Sequence, residues 1–475
     1  MLPSKESPMP LLIKNGRIIT ANDDYYADIY CEVESISRIE TDIDSTSLPA
    51  NTEIIDASGK YVFPGFIDPH VHIHLPFMGS NAIDDHESAS KAALVGGTTT
   101  LIEMICPGPN DEPIDAFKEW NKLASESSAL DYTFHMSVVR FDELAQSQLK
   151  DIVREHGIAS FKVFLAYKGA LNLDDSNLFD LLTMAKKLGV ITTAHCENAD
   201  LIDAMQSKLI SERKTGPEWH EPSRPVTVEA EGVHHLCTFA ELTGAHIYIV
   251  HTSCAPAVQA AVDAKLRGVN VWVEAVAPHL TLDETYAQQA DFIGAKYVMS
   301  PPLREKCNQD TLWNGLKSGA VSTIGTDHAP FNFVGQKDMG KDAFTQIPNG
   351  IPSVQERIDL IHTFGVLTGK ISLNTMVSAC STKAAQLFGL YPRKGSISVG
   401  ADADLVVYDP CCKHTLSVHT SLSKVDYNAY EGWELTGRSS VVTVRGQIQA
   451  RDGKFVGTVG RGKLLKRKPT HFEVK

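Results

Sequence analysis

Tyr61-Val62-Phe63-Pro64-Gly65-Phe66-Ile67-Asp68-Pro69-His70-Val71-His72 runs from an apolar segment straight into an Asp-x-His-x-His group. The apolar part, residues 61–67, reads as a short buried strand. Residues i and i+2 of a strand project from one face, so His70 and His72 point together. Two imidazoles held side by side are metal-ligand geometry. The chain has 18 histidines to draw on. A chance pair on a solvated strand end therefore stays open as an alternative until partners are found elsewhere.

Before this stretch, residues 10–60 alternate β-type runs with polar turns, as in Leu11-Leu12-Ile13, Asn15-Gly16 and Arg17-Ile18-Ile19. After it the rhythm becomes strand then helix. Strands are expected at 61–67, 99–105, 131–138, 159–165, 189–194, 246–250, 270–275 and 320–325. Amphipathic helices fall between most of them, among them Asp85 to Leu94, Asp175 to Leu188, Pro256 to Leu266 and Gln309 to Lys317. Eight such units over about 330 residues predict an α/β barrel. The competing doubly wound sheet lacks its Gly-x-Gly-x-x-Gly turn, and Gly96-Gly97-Thr98-Thr99 reads as a helix-to-strand turn. Past 393 the chain is β-type again, as in Asp404-Leu405-Val406-Val407-Tyr408 and Ser440-Val441-Val442-Thr443-Val444. The expected fold is α/β: a distorted (β/α)8 TIM barrel over 61–392 beside a small β-sandwich built from both termini, residues 1–60 and 393–460. A tail, 461–475, follows.

Bulk properties narrow the function classes. Hydrophobic residues make up 43% of the chain, which is ordinary for a globular protein. A net charge of −14 speaks against nucleic acid or an anionic membrane as partner. Residues Met1 to Ser7 carry no signal-peptide apolar core, and no apolar run approaches the roughly 18 residues of a membrane span. Nine cysteines form no regular framework, so reduced thiols and a cytoplasmic location are expected.

Barrel chemistry sits at the C-terminal ends of the strands, so further ligand-type residues are required there. The strand at 189–194 runs into His195, the one at 246–250 into His251, and the last into Asp327-His328. One such histidine is commonly a hydrogen-bonded rim residue; several at corresponding positions form a pattern. Lys162 is the sharpest feature, a lone charge inside Ser160-Phe161-Lys162-Val163-Phe164-Leu165-Ala166-Tyr167. Burial drives an ammonium toward the neutral amine. That amine can add carbon dioxide to give a carbamate, an anionic bidentate metal ligand. Pairing with a buried carboxylate such as Asp327 is the alternative.

At this point the chain resembles the cyclic amidohydrolases of the amidohydrolase superfamily, and within them the D-hydantoinase and dihydropyrimidinase family. The resemblance rests on Gly65 to His72, Leu75-Pro76-Phe77-Met78-Gly79, Lys91 to Thr99 and Phe161 to Lys168. It continues in Met299-Ser300-Pro301-Pro302-Leu303-Arg304, Gly325-Thr326-Asp327-His328, Gly340 to Phe344, Ile347-Pro348-Asn349-Gly350 and Lys466-Arg467-Lys468-Pro469.

The resemblance implies two divalent metal ions per subunit, usually Zn2+. His70, His72 and Asp327 would hold one, and His195 and His251 the other. Lys162 would bridge them as N6-carboxylysine. Tyr167 would stabilise the oxyanion and contact substrate, while Ser300 and Asn349 would bind the ring. Asp327 would take a proton from the attacking water and return it to the leaving ring nitrogen. The implied reaction opens a hydantoin or 5,6-dihydropyrimidine to an N-carbamoyl amino acid. Allantoin or cyclic imide hydrolysis is the alternative within enzymes, and a non-catalytic dihydropyrimidinase-like scaffold the alternative outside them. The scaffolds have lost metal ligands that are all present here. The partner expected is a small cyclic ureide or imide, in a homo-oligomer (a dimer or homotetramer) whose subunits the basic tail 461–475 helps to join.

Related enzymes that bind a substrate carboxylate carry an arginine two residues after His72. Here the residue is His74, which speaks against an acidic substrate such as dihydroorotate and reads as a rim residue. His328 reads as an orienting neighbour of Asp327. Cys196, Cys254 and the Cys411-Cys412 pair have no partner pattern.

Overall fold

The computed structural model describes residues 9–469. The readings made on Met1 to Ser7 and on the end of the tail, 470–475, lie outside the described residues. Eight parallel strands follow one another in chain order: Phe66–Val71, Thr98–Ile105, Asp131–Ser137, Ser160–Phe164, Ile191–His195, His246–Ile249, Val271–Val276 and Thr323–Gly325. Each predicted strand has its counterpart. Between them lie the predicted helices, including His86–Val95, Asp175–Leu188, Ala255–Leu266 and Cys307–Ser318. The helix Asp175–Leu188 shows why they start and stop where they do. The Asp174 carboxylate accepts from the Asn177 N–H at its start, and Gly189 ends it at φ 69°. Leu178, Leu181, Leu182 and Ala185 form its buried stripe against the barrel.

The strand expected over 61–67 is two strands. Tyr61–Pro64 pairs with Leu11–Ile19 and Leu405–Thr415 in a separate sheet, and only Phe66–Val71 enters the barrel. The exchange of sheets falls at Gly65 rather than at residue 60. A Cβ there would lie 2.1 Å from Thr99 Oγ1, so no larger residue lets the chain pass. The barrel strand also runs four residues further than the apolar run suggested, through Asp68, Pro69, His70 and Val71. Buried partners make this affordable: Asp68 accepts from Thr326 Oγ1 at 2.6 Å and from the His70 N–H at 3.2 Å.

The second sheet has nine strands drawn from both ends of the chain. It curls round its own core of Ile13, Ile29, Val62, Leu405 and Val407, so that Arg451 meets Glu53 at 2.6 Å across the fold. A buried charge cluster fastens it to the barrel: Lys394 Nζ donates to Asp131 and Asp404 at 2.7 Å each, and Arg445 pairs with Asp131. The described part of the tail lies along its own barrel. Leu465 N–H donates to Tyr132 O at 2.7 Å, and Arg467 is buried with its guanidinium on Thr133, Phe134 and Ser160. The low net polarity of Leu464-Leu465 inside the basic run explains why it docks. Among the described residues no helix is long and apolar enough to cross a membrane.

Candidate metal centre and substrate cavity

The strand ends converge on one cavity of about 450 Å³, lined by His72, Lys162, His195, His251, Asp327, Tyr167, Ser300 and Asn349 together with apolar Leu75, Phe77, Phe164 and Leu171. His70 lies just beneath it, 3.2 Å from Asp327 through Nε2. The nine residues expected to hold metal or substrate thus stand round a single space.

Hydrogen bonding sets the tautomers. His70 Nδ1 donates to Glu274 Oε2 at 2.8 Å, which leaves a lone pair on Nε2 facing Asp327 Oδ1. His72 Nε2 is likewise 3.2 Å from that same oxygen. His195 Nε2 donates to Glu197 Oε2 at 2.7 Å, so its Nδ1 lone pair faces His251 Nε2 at 3.0 Å. At His70 Nε2 and Asp327 Oδ1 an acceptor faces an acceptor, which repels unless positive charge sits between them, whereas His251 Nε2 can donate to His195 Nδ1. Burial pulls the His195 and His251 values down, keeping both imidazoles neutral. Burial acts on His72 too, but Asp327 and the Cys106 thiol outweigh it and push that imidazole up to about 9. Asp327 is pressed upward by burial, yet His70, His72 and Lys162 hold it down to about 2.

Lys162 is fully buried, and its Nζ has no hydrogen-bond partner among the described residues. Burial draws its amine down to about 8 against the pull of Asp327. His70 Nε2 is also without a partner, and His70, His72 and Asp327 bring their ligand atoms within 4.8 Å of one another. Unpartnered buried nitrogens beside a carboxylate are the donor set of a divalent cation, so these residues fit one.

Backbone conformation at the site is costly. Tyr167, His251 and Asp327 have φ of 62°, 40° and 52°, in the left-handed region that non-glycine residues avoid at about 1–3 kcal/mol each. Tyr167 is held by its surroundings: Arg224 lies over its ring at 5.4 Å while pairing with Glu197 at 2.6 Å. Burial raises the Tyr167 hydroxyl, which keeps it a proton donor. Asn349 Nδ2 donates to Ser300 Oγ at 3.0 Å, joining the opposite walls.

His328 turns away from the cavity, with Nε2 on Asp84 at 2.9 Å. His74 is half-buried outside the cavity lining, its ring 5.3 Å from His86. Cys196 is buried and donates to Ala194 O. Glu274, Glu197 and Arg224 were not foreseen. Glu274 had a signal, since it is a lone charge in the strand Val271–Val276, as Lys162 is in its own.

Comparison with known proteins agrees with this geometry. The model of the amidohydrolase family matches residues 61–449. The D-hydantoinase of Geobacillus stearothermophilus is 43% identical over 460 residues, covering 97% of both chains. The dihydropyrimidinase of Rattus norvegicus is 38% identical, covering 97% of this chain and 89% of its own. A solved D-hydantoinase (dihydropyrimidinase) from Thermus sp. superposes with a TM-score of 0.95 at 56% identity, covering 97% of this chain and all of that one. The chain belongs to the amidohydrolase family, in the group that holds the D-hydantoinases and dihydropyrimidinases.

Proposed function

We propose that this protein hydrolyses a cyclic amide bond, opening a hydantoin or 5,6-dihydropyrimidine ring to an N-carbamoyl amino acid. The observation that carries the reading is the convergence of six ligand-type side chains, drawn from five barrel strands, on and just beneath one cavity that also holds Tyr167. The amidohydrolase family is typically dependent on a pair of metal ions, and the His70, His72 and Asp327 group is present for one of them. His195 and His251 would hold the second, with Lys162 between them as its carbamate. Carbamate formation joins the neutral amine nitrogen to carbon dioxide with loss of one proton, and the buried Lys162 amine favours the neutral form. Zinc suits the nitrogen and oxygen donors. Divalent cations bound there would acidify water and polarise the substrate carbonyl.

The remaining work falls to the protein's own groups. Asp327 takes the proton of the attacking water and passes it to the leaving ring nitrogen. Tyr167 donates its hydroxyl proton in a hydrogen bond to the developing oxyanion, a contact commonly worth about 3–4 kcal/mol. The Ser300 and Asn349 walls hold the ring, and Leu75, Phe77, Phe164 and Leu171 face its substituent. A cytoplasmic location and a homo-oligomer complete the reading; the nine free cysteines support the former.

Metal analysis of purified protein, with a hydrolysis screen over hydantoin, dihydrouracil, allantoin, dihydroorotate and cyclic imides, tests this. Two divalent ions per chain and opening of hydantoin or dihydrouracil are expected. Activity on dihydroorotate alone, or fewer than two ions in active protein, would overturn it.

A further inference from the structure

Behind the cavity runs the segment Asn332 to Gly340, and two adjacent side chains on it reach in opposite directions. Lys337 is fully buried. Its Nζ donates to Val298 O at 3.0 Å and to Pro348 O at 2.9 Å. Those carbonyls begin the two stretches that carry Ser300 and Asn349 into the cavity. Gly350 N–H donates to the same Val298 oxygen at 2.9 Å, so this oxygen is shared by both. Gln336 spends its amide on the other side: Nε2 donates to Ser80 Oγ at 2.6 Å and to Asn81 O at 2.7 Å. Ser80 and Asn81 form one strand of the hairpin whose other strand, Pro76–Phe77, brings Phe77 to the cavity. The Gln336 Oε1 accepts from Asn332 N–H at 2.6 Å, so the side chain is anchored to its own segment.

The segment itself is seated. Lys337 N–H donates to Asn332 O at 2.9 Å, and a Cβ on Gly340 would lie 2.6 Å from Ile347 N. Lys337 has no carboxylate within ion-pair distance among the described residues. Burial lowers its amine to about 7, and a neutral amine has two N–H donors for its two carbonyl acceptors. An ammonium retained here only for charge would need a counter-ion. Hydrogen-bond donation to two backbone carbonyls is what the surroundings use.

We propose that Gln336 and Lys337 form a two-ended clamp that sets ring binding and substituent preference separately. Lys337 fixes the spacing of the Val298–Ser300 and Pro348–Gly350 walls, and Gln336 fixes the Leu75–Asn81 hairpin against them. Both are positioning residues, acting through the groups they hold. The proposal rests on the cyclic-amide reading of the cavity, and one arm of its test does not.

The experiment uses the full-length metal-loaded protein with Gln336→Ala, Lys337→Met and Lys337→Gln. Hydantoin and 5-benzylhydantoin are the probes, and amide hydrogen exchange is followed in the peptide spanning 347–351. Lys337→Met should raise KM about tenfold for both probes alike with kcat within about threefold, the scale of one or two lost hydrogen bonds. It should also speed exchange at Gly350. Lys337→Gln, which restores an N–H donor pair, should recover most of both effects. Gln336→Ala should lower the kcat/KM ratio of 5-benzylhydantoin to hydantoin about tenfold, with exchange at Gly350 as in the parent. The clamp is refuted if Lys337→Met leaves Gly350 exchange and KM unmoved, if Lys337→Gln behaves as Met does, or if Gln336→Ala shifts both probes equally. A parent protein that opens neither probe and fails on dihydrouracil as well overturns the cyclic-amide reading, while the exchange arm still decides the Lys337 half.

Discussion

The Asp327 backbone N–H donates to the carbonyl of His70 at 2.9 Å while the two side chains stand 3.2 Å apart. One contact thus closes the barrel between its last and first strands and places a carboxylate beside an imidazole. Thr326 reinforces it through Asp68, and Val71 pairs with His328 one residue on. The closure of the fold and the assembly of the candidate metal centre are the same event. A change in how the last strand seats should therefore be felt first as a change in metal binding.

Gly325 tests that coupling. A Cβ there would lie 2.6 Å from Glu274 Oε1 and 3.3 Å from His70 Cβ. Gly325→Ala should displace Glu274 from His70 Nδ1 and weaken metal affinity by about 10–100-fold, the usual effect of losing a ligand's orienting partner. Competition with a chelator measures it. Affinity equal to the parent's would contradict the coupling.

Lys162→Met should separate stability from function. An unpartnered buried amine is replaced by an apolar chain of similar shape, so the metal-free variant should be about 1–3 kcal/mol more stable. With metal supplied, hydrolysis should fall by roughly a thousandfold, since the proposed carbamate ligand and its charge would be lost. Calorimetry and metal analysis check the two halves. A lower melting temperature in the metal-free variant would show that Nζ has a stabilising partner after all.

Glu197 sets an acid limb of stability. Burial pushes its carboxyl up, but Arg224 and His195 outweigh that and hold it down to about 2. The ordinary unfolded value is about 4.3. A carboxyl depressed by folding contributes stability above its unfolded value and loses it as pH falls toward the folded one, here between about 5 and 2. The contribution is about 3 kcal/mol at neutral pH. In metal-free Arg224→Met most of it should be absent, so the difference from the parent should shrink as pH drops. Urea unfolding at pH 7, 5, 4 and 3 gives the curve, and a difference independent of pH would sink the assignment.

His74→Ala should keep two metal ions per chain and change kcat/KM by less than about tenfold, because the ring packs by His86 outside the cavity lining. Loss of an ion would place His74 in the metal centre instead.

Much of this was legible in the chain itself. The spacing of apolar runs gave eight strands in order, and ligand-type residues stood where those runs ended, because a parallel strand buried on both faces must be apolar until it reaches the mouth of the barrel. Lys162 stood out for the same reason. The end of the first barrel strand is not legible there, since Asp68 looks like a strand breaker until its partner Thr326, 258 residues away, is in view. Arg224 and the Gln336–Lys337 pair belong with Asp68. Each is an ordinary polar residue in its local sequence, and its role comes from an acceptor or donor brought close only by barrel closure. Local periodicity fixes which face a side chain takes; which group meets it there depends on long-range packing, and that the tertiary structure alone decided.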